Sequence, residues 1–187
     1  MRLIILDRDG VINEDSDAYI KSPAEWIPIE GSLEAIARLN HAGYQVAVVT
    51  NQAGVARGLF DLDTLMRIHE RMHHAAAAAG ANIDAVFFCP HGPDDDCDCR
   101  KPKPGLLRDV AQRLRVPLDG VPFVGDTLRD IQAAEAVNAR PVLVRTGKGS
   151  GTEAALPAGH GYAVYDNLAA AVDALLAEEI ERTFRAP

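Results

Sequence analysis

Five short apolar runs punctuate this chain, and between them lie stretches whose apolar residues recur at helical spacing. The runs are Arg2–Leu6, Gln45–Thr50, Asp84–Cys89, Val121–Val124 and Pro141–Val144. They are brief, mostly apolar and rich in β-branched or aromatic residues, as strands covered on both faces are. Ser32 is placed to cap a helix carrying Leu33, Ile36, Ala37 and Leu39, with Gly43 as its stop. Asp61 or Asp63 opens a longer helix through Leu62, Leu65, Ile68 and Met72 to Gly80. Pro104 suits the first turn of a helix reaching Arg115, and Leu128–Asn138 and Leu168–Glu181 supply two more. This alternation predicts a doubly wound, Rossmann-like parallel sheet with helices on both faces, whose ligands sit at the carboxyl ends of the strands. Gly147-Lys-Gly-Ser-Gly151 reads as a flexible turn.

A length of 187 residues favours one domain over 1–187, with a core large enough to fold unaided. No apolar run approaches the roughly 18 residues of a membrane span. Met1-Arg-Leu-Ile-Ile-Leu-Asp7 meets an acid too early for a secretory signal, so a cytoplasmic location is expected. Nineteen Lys and Arg face 27 Asp and Glu, a net charge of −8, which disfavours a broad nucleic-acid surface. A small anionic substrate is compatible with that balance if cations are gathered locally. A monomer is expected, because no unpaired apolar stripe stands out.

Polar clusters follow the predicted strands: Asp7-Arg-Asp9-Gly10, Thr50-Asn51-Gln52, Gly125-Asp126-Thr127 and, by way of a loop, Arg100-Lys101. Any one of them serves equally well as a turn or a cap. Four at the same sheet edge point to a site. Together they supply two acids two residues apart, a hydroxyl, a cation pair and a further acid. A carboxylate can attack phosphorus to form a covalent intermediate, while the second acid protonates the leaving oxygen and then deprotonates water. An anionic nucleophile meeting an anionic phosphate needs a divalent cation, and oxygen ligands suit magnesium. A lysine and a hydroxyl would hold the remaining phosphoryl oxygens.

All three cysteines lie in one loop, where Cys89, His91, Cys97 and Cys99 form the ligand set of a closed tetrahedral zinc site. Such a site leaves no position for substrate. Its expected role is structural, folding a loop that has no apolar core and carrying Arg100-Lys101 toward the sheet edge.

Asp7-x-Asp9-Gly10, Thr50 after the second strand, Lys101 before a helix, and Gly125-Asp126-x-x-x-Asp130 resemble, in order, the four motifs of haloacid dehalogenase superfamily phosphatases. The resemblance spans residues 7–130. It implies that Asp7 is the nucleophile, that Asp9 is the acid and base, and that Thr50 and Lys101 stabilise the transferring group. Magnesium would be held by Asp7, the main-chain carbonyl of Asp9, and Asp126. Asp130, one helical turn on, is read as a supporting or surface residue. Members of this family often carry a cap domain. The insert after Thr50 is too short for a large one, so a minimal cap and an open site are expected.

The cysteine loop, running into Cys99-Arg-Lys-Pro-x-Pro-Gly105, is similar to that of the histidinol-phosphate phosphatase group. Thr50-Asn-Gln-Ala-Gly-Val-Ala-Arg-Gly58 resembles more closely its heptose-bisphosphate branch. That branch implies removal of the 7-phosphate from a D-glycero-D-manno-heptose 1,7-bisphosphate through an aspartyl-phosphate, on the route to lipopolysaccharide core. Arg100, Asn51 and Gln52 would contact the substrate, and Arg57 is a candidate for the remote phosphate. Histidinol phosphate is the alternative substrate. A catalytically silent zinc-stabilised module that binds a phosphorylated ligand is the alternative class.

His69-Glu-Arg-Met-His73 fits the metalloprotease pattern but lacks a third ligand, and reads as a solvated helix face. Asp94-Asp-Asp96 reads as an exposed acidic turn. No P-loop lysine motif is present, which disfavours a nucleotide kinase.

Overall fold

The computed structural model describes residues 2–185. In chain order they form β1 (Arg2–Leu6), a 3-10 turn (Pro23–Glu25), α1 (Ser32–His41), β2 (Tyr44–Asn51), α2 (Leu62–Ala78) and β3 (Ala85–Cys89). There follow α3 (Gly105–Leu114), β4 (Pro122–Gly125), α4 (Leu128–Glu135), β5 (Arg140–Val144), α5 (Gly149–Ala155), β6 (Ala163–Tyr165) and α6 (Leu168–Arg185). The strands pair in parallel in the order β3-β2-β1-β4-β5-β6. The chain builds outward from β1 on one side, then crosses to β4 and builds outward on the other. Between β1 and β4 the direction of winding reverses, and a crevice opens there at the carboxyl ends.

The apolar runs are continuous because both sheet faces are covered, yet within them the faces alternate. Ile4, Leu6, Val46, Val48 and Val124 pack with residues of α1, α2 and α6 such as Ile36, Met72 and Val172. Leu3, Ile5, Ala47, Val49 and Phe123 pack with α3 and α4 residues such as Leu107, Val110 and Ala134. Burying an aliphatic side chain of this size contributes roughly 1.5–3 kcal/mol. Truncating fully buried Ile4 or Ile5 to alanine would cost roughly 2–5 kcal/mol, because the packed layers cannot collapse into the space.

Four local expectations are corrected, and one strand is added. Gly147–Gly151 is not a flexible turn: Gly149 is buried and opens α5. A Cβ at Gly149 would lie 1.6 Å from the Val144 carbonyl oxygen, so the glycine serves close packing of helix against strand. Ser32 is the first residue of α1, after Gly31 at the cap, and its hydroxyl donates to the Ile12 carbonyl (2.7 Å), tying the helix start to the loop after β1. Pro104 stands at the cap of α3 rather than within its first turn. The helix after β4 stops at Glu135, because Ala136–Asn138 turn toward β5 through hydrogen bonds back to the helix end. The short edge strand β6 went unread, since three residues carry no periodicity. Asp61 is the cap of α2, accepting from the Thr64 N–H at 2.8 Å. Among the described residues no helix is long and apolar enough to cross a membrane.

Candidate active site

Residue 7 is the first beyond β1, and its N–H donates to the Val124 carbonyl (2.9 Å), which sets Asp7 over the β1/β4 crevice. The cleft above it encloses about 290 Å³ and is lined by Asp7, Asp9, Thr50, Lys101 and Asp126, with Arg57 and Arg100 toward its mouth. The fold thus gathers residues that are up to 119 positions apart in sequence.

Lys101 is buried at the centre. Its ammonium lies 2.9 Å from Asp7 Oδ2 and 2.7 Å from Asp130 Oδ1, and donates to the Val49 carbonyl at 2.9 Å. Its backbone is fixed by Asn51, whose Oδ1 accepts the Lys101 N–H and whose Nδ2 donates to the Lys101 carbonyl, both at 3.0 Å. Asp130 is not at the surface but buried. Its Oδ2 accepts from the Thr127 N–H (3.0 Å) and hydroxyl (2.6 Å), a capping box at the start of α4. The T-x-x-D pattern at 127–130 carried that signal in the sequence.

Asp126 is held from the other side. Its Oδ2 accepts the Lys148 N–H (2.8 Å), and its carbonyl accepts the Thr152 hydroxyl (2.8 Å). Gly10, at φ +80°, passes so close that a Cβ there would stand 2.3 Å from Asp126 Oδ2. Thr146 Oγ1 donates to the Gly10 carbonyl at 2.6 Å, closing the loop after β5 onto the loop after β1. The glycine-rich segment 145–149 is therefore a wall of the site, which its composition did not disclose.

The electrostatics follow from crowding. Burial, together with the charges of Asp130 and Asp126, pushes the Asp7 carboxyl well above its usual range, although Lys101 opposes the shift. Burial and Asp130 push Asp126 up to about 7. Burial alone would lower Lys101, but Asp130 and Asp7 outweigh it and hold the lysine charged. Burial likewise opposes ionisation of Asp130, and Lys101 overcomes it. Asp9 differs again: burial is outweighed by the Arg8 guanidinium and the amides of Asn13 and Gln52, which keep its carboxyl low.

Oxygens of Asp7, Asp126 and Asp130 lie within 4.8 Å of one another. These three carboxylates are hard donors suited to a divalent cation, and the resistance of Asp7 and Asp126 to ionising together fits one. A second group joins Cys89, His91, Cys97 and Cys99, with ligand atoms also within 4.8 Å of one another. Burial and neighbouring thiols raise Cys89 and Cys99, so the thiolates coexist only around a cation, and this soft donor set fits zinc. Arg100 Nη1 donates to the His91 carbonyl (3.2 Å), which links this loop to the cleft.

Two of the expected substrate contacts have their amides committed to the protein: Asn51 to Lys101, and Gln52 Nε2 to both Asp9 Oδ2 (2.9 Å) and Thr50 Oγ1 (2.8 Å). Arg57 is exposed, its guanidinium 5.8 Å from the Tyr19 ring centre. Asp94–Asp96 are exposed, and Asp95 also accepts the Gly92 N–H at 2.7 Å. The H-E-x-x-H reading as a solvated face is corrected. His73 is exposed, but His69 is buried against Phe88, and burial and Arg8 push its imidazole down to about 3. Arg8, Asn13 and Lys148 gave no readable signal, because only tertiary neighbours define their roles.

A family model described as HAD-hydrolase-like matches residues 98–171. The chain is 57% identical to a D-glycero-β-D-manno-heptose-1,7-bisphosphate 7-phosphatase of Bordetella bronchiseptica, across 95% of this chain and 99% of that protein. It is 55% identical to the protein of the same name in Pseudomonas aeruginosa, across 93% and 97%. The crystal structure of the B. bronchiseptica D,D-heptose 1,7-bisphosphate phosphatase, complexed with magnesium and phosphate, superposes with a TM-score of 0.91 over 95% of this chain and 99% of that one.

Proposed function

This chain belongs to the D-glycero-β-D-manno-heptose-1,7-bisphosphate 7-phosphatases of the HAD-like hydrolases, and from that premise we propose that it hydrolyses the 7-phosphate of a heptose 1,7-bisphosphate, with Asp7 as nucleophile. The observation that carries the reaction class is the buried Lys101 ammonium, 2.9 Å from Asp7 and 2.7 Å from Asp130 at the β1/β4 crevice. The substrate rests on similarity across nearly the whole chain.

Lys101 and the Thr50 hydroxyl bind the phosphoryl oxygens, where charge accumulates in the transition state. Asp7 attacks phosphorus in line and the ester P–O bond breaks, and Asp9, protonated once the negative charge of the bound phosphate offsets its donors, passes that proton to the departing sugar oxygen. Water then attacks the aspartyl-phosphate, its proton passes to Asp9, and inorganic phosphate leaves. Asp7, the Asp9 carbonyl and Asp126 would hold magnesium, which would supply the charge that lets two anions approach. Cys89, His91, Cys97 and Cys99 hold a structural zinc that orders the loop carrying Arg100 and Lys101. Arg100 and Arg57 face the part of the substrate that does not react. Such a soluble substrate goes with a cytoplasmic enzyme acting ahead of nucleotide activation in lipopolysaccharide core assembly.

The test is phosphate release from heptose 1,7-bisphosphate and from histidinol phosphate, each with magnesium and with EDTA. The bisphosphate should give the higher kcat/KM, and EDTA should remove turnover. A preference for histidinol phosphate overturns the substrate assignment, and turnover that persists in EDTA overturns the metal's role.

A further inference from the structure

One wall of the cleft is built by a loop, segment 15–19, which contributes Asp15, Ser16, Asp17 and Tyr19 to its lining. The base of this loop is pinned: the Glu14 N–H donates to the Ile27 carbonyl (2.9 Å), and Ile20 is buried. Nearer the tip its bonds close on the loop itself, from the Ala18 N–H to Ser16 Oγ (3.1 Å) and from the Tyr19 N–H to the Ser16 carbonyl (3.0 Å). Among the described residues, two cations from outside 14–21 reach it. The Lys148 ammonium lies 3.4 Å from Asp15 Oδ2 and 3.4 Å from Asp17 Oδ1, and the Arg57 guanidinium lies over the Tyr19 ring.

The backbone of Lys148 is fixed. Its N–H donates to Asp126 Oδ2 (2.8 Å), its carbonyl accepts the Thr152 hydroxyl (3.2 Å), and the adjoining Gly149 packs against the Val144 carbonyl. From that base a flexible stem carries a compact charge with three donors, which can serve two carboxylates at once. Asp15 and Asp17 repel each other and would repel an anionic substrate. The shared ammonium offsets one of their two charges and ties both acids to the segment that holds Asp126. It is half exposed, so each tie is weak singly, and the loop tip depends on the two together.

We propose that Lys148 is a positioning residue that straps segment 15–19 across the cleft mouth and so shapes the wall against which the sugar of the substrate rests. This rests on the sugar-phosphate reading of the site and adds what holds its mouth in shape. Lys148 acts through Asp15 and Asp17 and not on a phosphate. Without its charge the loop must be ordered as substrate binds, which costs affinity and leaves the chemistry at Asp7 in place.

Lys148→Met keeps the backbone N–H and most of the stem but removes the charge. Without substrate, amide exchange across 15–20 should quicken by about threefold or more. KM for heptose 1,7-bisphosphate should rise about fivefold, with a smaller effect on kcat. Fivefold is about 1 kcal/mol, within what two half-exposed ion pairs supply. A heptose 7-phosphate, which lacks the remote phosphate, should show the same rise. Lys148→Arg, which keeps the charge, should hold KM within about twofold of the wild type, and in an Asp15→Asn, Asp17→Asn background Lys148→Met should add nothing. Unchanged exchange, or a fall in kcat at constant KM, overturns the proposal. So does a loss confined to the bisphosphate, which would make Lys148 a direct phosphate contact. A wild type that turns over neither sugar phosphate instead removes the sugar-phosphate reading, while exchange still reports on the strap, so the two failures are distinguishable.

Discussion

Replacing Asp126 by asparagine should stabilise the metal-free protein while abolishing catalysis. Asp126 is buried, with carboxylate oxygens of Asp7 and Asp130 within 4.8 Å. At that separation, and at an effective dielectric of about 20, two like charges repel by roughly 3 kcal/mol. Burial and Asp130 accordingly raise its carboxyl from 3.8 to about 7. The folded state then holds this proton more tightly than the unfolded chain, so stability falls as pH climbs from about 4 to about 7 and the penalty is complete above that range. At about 1.4 kcal/mol for each pH unit between those values, the upper limit is about 4 kcal/mol. Half of it, about 2 kcal/mol, moves Tm by roughly 4–8 °C in a chain of this size. Asparagine removes the charge and keeps an acceptor for the Lys148 N–H. Thermal melts in EDTA should therefore show Asp126→Asn above the wild type at pH 8, with the advantage reduced to under half at pH 5. Added magnesium should raise the wild type and leave the variant unmoved. A variant that is less stable at pH 8, or equally advantaged at both pH values, refutes the reasoning.

Three further outcomes are expected. Two successive in-line displacements through Asp7 preserve configuration at an isotopically chiral phosphorus, and Asp7→Asn should reduce kcat at least a thousandfold; inverted product would mean direct attack by water. Stripping zinc, or replacing Cys99 by serine, should speed amide exchange across 89–101 and lower kcat through the misplaced Lys101; a zinc-free sample with unchanged exchange and rate removes the structural role. Gly149→Ala would thrust a Cβ to 1.6 Å from the Val144 carbonyl, whereas Gly151 has nothing within 4 Å. The first should therefore destabilise by about 2 kcal/mol or more, and the second should stabilise by up to about 1 kcal/mol, as judged from urea midpoints.

Chemistry that sits just past a strand was legible because such residues are tied to the sheet by local sequence. Asp7 and Asp126 each follow an apolar run and Thr50 closes one, and a doubly wound sheet brings those ends to one edge whatever the details of packing. The cysteine cluster was legible because its four ligands are neighbours in the chain. Asn51 and Gln52 were found but their amides turn inward, to Lys101 and Asp9, a choice made by residues 43 and 50 positions away. His69 looked like half of an exposed pair, yet α2 turns it against Phe88. Segment 145–149 looked loose because glycine spacing does not distinguish freedom from close approach.

Local patterning by itself determined the strands that position the site, both layers of helices and the residue types available for phosphoryl transfer, since period and composition act over a few residues. Tertiary structure alone decided how those groups are charged and aimed. Burial and neighbours distant in sequence raise Asp7 and Asp126, pair Asp130 with Lys101, and turn Gln52 onto Asp9. Electrostatic energy depends on distance through space and on exclusion of water, and neither quantity is carried by spacing along the chain.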